Sequence, residues 1–91
     1  MEIARLARIS GRVTGVGFRY STYEKARIFP MLKGYVRNAA RGEVEVFLQG
    51  EAREVEAMLE WIGRGPVTAR VDKMEIENVP VDNCRGDFTI L

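Results

Sequence analysis

One stretch of this chain concentrates residues able to hold an anion: Gly11-Arg12-Val13-Thr14-Gly15-Val16-Gly17-Phe18-Arg19. It lies where a strand-like pattern gives way to a helix-like one. A helix start leaves backbone N–H groups unpaired and carries partial positive charge, and glycine lets those amides converge on one anion. The N–H groups of Gly15, Val16, Gly17, Phe18 and Arg19 then make a cradle of phosphoryl size. Arg19 stands at its mouth, where a guanidinium fork adds a full charge worth about 4 kcal/mol at about 4 Å and an effective dielectric near 20. The segment lacks the Gly-Lys-Ser/Thr ending of a Walker loop and the spacing of a dinucleotide fingerprint. A plain strand-to-helix turn followed by a surface arginine uses the same residues, so this segment alone does not choose. A second stretch, Gly34-Tyr35-Val36-Arg37-Asn38, ends on an amide that donates and accepts, and so can orient a water beside a bound anion. A turn-forming asparagine ahead of a hairpin is the alternative there.

The elements that must position these groups follow from periodicity. Ala7, Ile9, Gly11 and Val13 alternate with polar neighbours and predict a half-buried strand, followed by a helix from about Arg19 to Phe29 that Pro30 stops. Lys33 to Ala39 and Glu43 to Gln49 read as two strands joined at Arg41-Gly42, with Val44, Val46 and Leu48 inward and Glu43, Glu45 and Phe47 outward. After Gly50, Ala52, Val55, Met58, Leu59 and Ile62 recur at helical spacing opposite a glutamate-rich face, and Gly63 or Gly65 caps that helix. Thr68 to Val79 is β-like with a phase slip that predicts a bulge near Asp72-Lys73. Asp87 to Leu91 makes a short last strand. The order β-α-β-β-α-β is that of a ferredoxin-like α+β sandwich: an antiparallel sheet, two helices on one face and a short extra C-terminal strand. In that topology the end of the second strand can lie beside the loop after the first, which would bring Asn38 to the cradle.

Composition narrows the chemistry. The chain has 91 residues and no histidine, which removes the Ser-His-Asp triad, the Cys-His pair and an imidazole base. One cysteine, Cys84, makes no internal disulfide and no CxxC pair, as expected of a reducing compartment. Fourteen basic and 13 acidic residues give a net charge of +1, without the strong positive field of a nucleic-acid binder. With 46% apolar and 30% charged residues and no apolar run of membrane-spanning length, a soluble, single-domain, cytoplasmic protein over residues 1–91 is expected. Trp61, Met58 and Leu59 read as helix core and its edge.

Taken together, Gly11-x-Val13-x-Gly15-Val16-Gly17-Phe18-Arg19, Gly34-Tyr35-Val36-Arg37-Asn38, Gly42-x-Val44-Glu45, the helix after Gly50 and Gly65-Pro66-x2-Ala69-x-Val71 closely resemble the acylphosphatase family. The resemblance spans nearly the whole chain. It implies a small enzyme that hydrolyses acyl phosphates to a carboxylate and inorganic phosphate, as a monomer, without metal or organic cofactor. Its partner would be the small-molecule substrate alone, with no nucleic acid and no membrane. Residue by residue, Arg19 would bind the phosphoryl group with the amides of Gly15 to Arg19, and Asn38 would position the attacking water. The missing histidine suits this reaction, because a carboxylate with a conjugate-acid pKa near ~4 leaves without being protonated. No protein base is evident, which leaves the substrate's own phosphate oxygens to take the water's proton. Two features depart from the family pattern: Thr14 stands where glutamine is usual, and Phe29-Pro30-Met31-Leu32 lengthens the connection after the first helix. The competing readings are an RNA-binding module, which would need basic and aromatic residues on the open sheet face where Glu43, Glu45 and Phe47 are expected, and a regulatory or carbamoyl-phosphate-handling domain that uses the same cradle within a larger complex.

Overall fold

A computed structural model describes residues 1–91. Its elements are β1 (Glu2–Arg12), α1 (Phe18–Ala26), β2 (Lys33–Asn38), a short 3-10 turn (Ala40–Gly42), β3 (Val44–Glu51), α2 (Ala52–Arg64), β4 (Arg70–Val79) and β5 (Thr89–Ile90). They build one sheet in the order β4-β1-β3-β2-β5. The first four strands pair antiparallel, whereas β5 runs parallel to β2. The sheet is therefore mixed at one edge. The reason is the route of the chain: after β4 it crosses to the far edge and enters alongside β2 in the same direction.

Alternation decides which side of each strand meets the helices. Val36, Val46 and Ala7 share one register row and are fully buried, as are Val44 and Ile9 in the next row on the same face. The strand inward pattern of Val44, Val46 and Leu48 holds throughout. Against this face α2 presents Val55, Met58 and Ile62, each fully buried and each worth about 1.5–3 kcal/mol of transfer free energy. Gly65, not Gly63, caps α2; its φ is 72°, and its N–H donates to Trp61 O.

Helix α1 is shorter than its sequence suggests. It ends at Ala26, and the next residues tighten into 3-10 bonds, Ile28 N–H to Lys25 O and Phe29 N–H to Ala26 O. The residue before a proline disfavours helical backbone, so the unwinding begins before Pro30 is reached. Phe29 then packs on the core edge and Leu32 is buried. This lengthened connection lies at the end of α1 remote from Arg19. The expected bulge is present: Ser10 pairs with Lys73 and Gly11 with Val71, leaving Asp72 as the extra residue.

The outward face of the sheet differs from its sequence reading. Glu45 is 5% exposed instead of solvated, because Arg8 of β1 and Tyr35 and Arg37 of β2 close over it. The chain after β4 also straps this face: Gln49 exchanges two hydrogen bonds with the backbone of Asp82, at 2.9 and 2.8 Å, and the Arg85 guanidinium lies 5.4 Å from the centre of the Tyr35 ring.

Candidate active site

The loop between β1 and α1 hangs between two buried anchors. Val13 and Phe18 are each 1% exposed, and Phe18 is braced by Trp61 with ring centroids 6.3 Å apart. Between them Thr14, Gly15 and Gly17 are exposed. Gly15 and Gly17 have φ of 70° and 78°, a region that side chains with a Cβ rarely enter, and nothing lies within 4 Å of where a Cβ would project. Backbone conformation, not crowding, requires glycine there, and the space beside both is open. Gly17 is also the N-cap of α1, and its carbonyl accepts from Ser21 N–H at 2.9 Å. No carbonyl or side chain of the protein accepts from the N–H groups of Gly15 through Tyr20. Their donors are free beside a helix start that carries positive potential.

Arg19, in the first turn of α1, is half-buried and donates from Nη1 to the main-chain oxygen of Leu91 at 2.6 Å. Leu91 N–H in turn donates to Val36 O at 2.9 Å, two residues before Asn38. Arg19 and the end of β2 thus meet across the C-terminal segment, which sequence reading did not include in the site. Asn38 pairs with Val44 in the row that also holds Ile9, so it lies at the end of the sheet from which the loop after β1 departs. By alternation it shares the helix-bearing face with Val36, while Tyr35 and Arg37 take the other. Its side chain makes no hydrogen bond to the protein and is exposed. That single bond holds the Arg19 side chain toward the end of β2 without using up a guanidinium that offers five donors. Thr14 is exposed and makes no side-chain bond, so it brings no replacement contact at the position of the family's usual glutamine.

Behind Asn38, the neighbouring residue is clamped. Arg37 Nε donates to Glu45 Oε2 at 3.0 Å, Tyr35 Oη donates to the same oxygen at 2.6 Å, and Arg8 Nη2 to Oε1 at 3.3 Å. Burial by itself would raise the Glu45 pKa; the hydrogen bonds from Tyr35, Arg37 and Arg8 and the Arg37 charge outweigh it and hold the carboxyl below the usual carboxylate range. Burial and the same carboxylate push the Tyr35 hydroxyl up. A further bond reaches this loop from the turn after α2: Thr68 Oγ1 donates to Val16 O at 2.8 Å. The spacing Gly65-Pro66-x2-Ala69 marks a turn in the sequence, but nothing local says where its hydroxyl goes.

The two-layer α+β sandwich thus carries free amides at a helix start, an arginine in that helix's first turn and a free asparagine amide at the same sheet end. A model of the acylphosphatase family matches residues 6–90. The chain is 46% identical over 80 residues to an acylphosphatase of Colwellia psychrerythraea, covering 88% of this chain and 89% of that one. It superposes on the structure of an acylphosphatase from Coxiella burnetii with a TM-score of 0.89 at 33% identity, over 99% of this chain and 93% of that chain. It also superposes on part of full-length HypF, with a TM-score of 0.88 at 32% identity, covering 100% of this chain but 12% of that chain. The chain belongs to the acylphosphatase family, hydrolases that act on acyl phosphates.

Proposed function

We propose that this chain works as a single-domain enzyme that splits acyl phosphates into a carboxylate and inorganic phosphate through the cradle at Gly15–Arg19, with Arg19 and Asn38 in distinct roles. The observation that carries this reading is the run of unpartnered amides from Gly15 to Tyr20, brought to the same sheet end as Arg19 and Asn38. The amides and the Arg19 fork hold the phosphoryl oxygens and neutralise charge on them. Asn38 aims a water at phosphorus, opposite the acyl oxygen. The new P–O bond forms as the bond to the carboxylate breaks, and the water's proton passes to a phosphoryl oxygen. Positioning and electrostatics supply the acceleration, since the leaving carboxylate needs no proton. No step of this reaction calls for a metal, since the amides and the Arg19 fork supply the positive charge. The strap over Tyr35 and the closure over Glu45 support the enzyme reading over an RNA platform on the open face. No helix is long and apolar enough to cross a membrane.

The test is phosphate release from acetyl or benzoyl phosphate in excess EDTA, where turnover is expected to equal that in untreated buffer. Activity lost to the chelator and restored by Mg²⁺ overturns the metal-free mechanism. Negligible hydrolysis of every acyl phosphate tried moves the chain to a non-enzymatic role.

A further inference from the structure

We infer that Thr68 is a positioning residue for the anion cradle, aiming the Gly17 amide through the carbonyl of Val16. This rests on the cradle reading above and adds to it a residue that never touches substrate. Thr68 Oγ1 donates to Val16 O at 2.8 Å across 52 residues of sequence. Val16 C=O and Gly17 N–H belong to one planar trans peptide, in which the two groups point in opposite directions. A hydroxyl that holds the carbonyl on one side therefore turns the N–H to the other. Gly17 has a left-handed φ and a Cβ there would meet nothing, so the interior does little else to fix that peptide plane.

The hydroxyl itself sits on a braced support. Ala69 N–H donates to Pro66 O at 3.0 Å, closing a turn with Thr68 at its third position. Just before it, Gly65 is tied to α2 by its N–H to Trp61 O at 2.8 Å, and a Cβ at Gly65 would lie 3.1 Å from the Phe18 ring. The Phe18 ring also rests against Trp61. The turn that carries Thr68 and the helix start that carries the cradle thus share one rigid base. The hydroxyl bridges the remaining gap to the glycine-flanked peptide.

A donor held in the same direction before and during transfer contributes uniform binding, so its loss raises KM with a smaller change in kcat. Thr68→Ala is expected to raise KM and the inhibition constant for inorganic phosphate together by about fivefold, the worth of one ordinary hydrogen bond. Thr68→Ser, which keeps the hydroxyl, is expected to restore both. In ¹H–¹⁵N spectra, the phosphate-induced shift of the Gly17 amide is expected to shrink in Thr68→Ala and return in Thr68→Ser. Because Thr68 is exposed, both variants are expected to melt near the parent, and the serine variant carries the test if the alanine one does not fold. Equal phosphate affinity in parent and Thr68→Ala, or a serine variant as weak as the alanine one, overturns the inference and leaves the cradle standing. A parent protein whose Gly15 to Arg19 amides do not respond to phosphate overturns the cradle, and this inference with it.

Discussion

Arg19 and Asn38 reach the same end of the sheet but face different demands. In the proposed mechanism Arg19 binds the phosphoryl group and neutralises charge that grows on it during transfer, so Arg19→Ala should weaken phosphate inhibition and remove most turnover. Arg19→Lys should rescue little, because an ammonium cannot reproduce the planar fork that reaches both Leu91 O and an anion. Asn38 has no protein partner to lose, and its amide is free to hold a water. Asn38→Ala should lower kcat by about 100-fold or more while the phosphate inhibition constant stays nearly constant. Steady-state kinetics with phosphate as inhibitor, and circular dichroism to check the fold, separate the two. A phosphate constant raised as far by Asn38→Ala as by Arg19→Ala would place Asn38 in the cradle instead.

Among the elements, Glu45 joins three strands at once, bonding Arg8 of β1 and Tyr35 and Arg37 of β2 from its place in β3. Its carboxyl is held below the usual range in the folded state, so the stabilisation it brings is fully present above the unfolded carboxylate pKa. That stabilisation is lost as pH falls through the lower folded value. Urea unfolding from pH 7 down to pH 3 should therefore show a decline that Glu45→Gln flattens, with the variant already less stable at pH 7. An undiminished slope in the variant would assign the acid loss to other carboxylates. This clamp also shows where sequence reading fails. Val44, Val46 and Leu48 betray their face by alternation and Glu45 is outward by the same rule, yet the partners that bury it lie up to 37 residues away and no local pattern announces them. Helix α1 was hard to delimit because it buries Phe18, Thr22 and Ala26, a mixed stripe with little apolar contrast, whereas Val55, Met58 and Ile62 make α2 plain. The cradle residues and Asn38 were legible because glycine spacing and a strand end are local signals. The contacts from Leu91 and Thr68 were not, since they arrive from 72 and 52 residues away.

At the scale of the molecule, occupancy of one site should be felt by the whole fold. Phosphate at about 100 times its dissociation constant should stabilise the folded state by about 2.7 kcal/mol, a rise of about 10 °C or more in Tm for a chain of this size. Thermal melts in phosphate and in chloride of matched ionic strength make the comparison. An equal rise with chloride would point to screening rather than a site.

The place of β1 in the sheet bears on how the protein is made. Ala7 pairs with Val46 on one side and with Ile76 on the other, so the strand that launches the cradle is flanked by segments distant in sequence. Only β2 and β3 can form early as a hairpin; seating β1 requires closing two long loops first, an entropic cost that slows folding. The cradle therefore belongs to no autonomous fragment. Refolding followed in parallel by a sheet signal and by acyl phosphate hydrolysis is expected to show both gained in one slow phase, and a chain cut before β4 is expected to be inert.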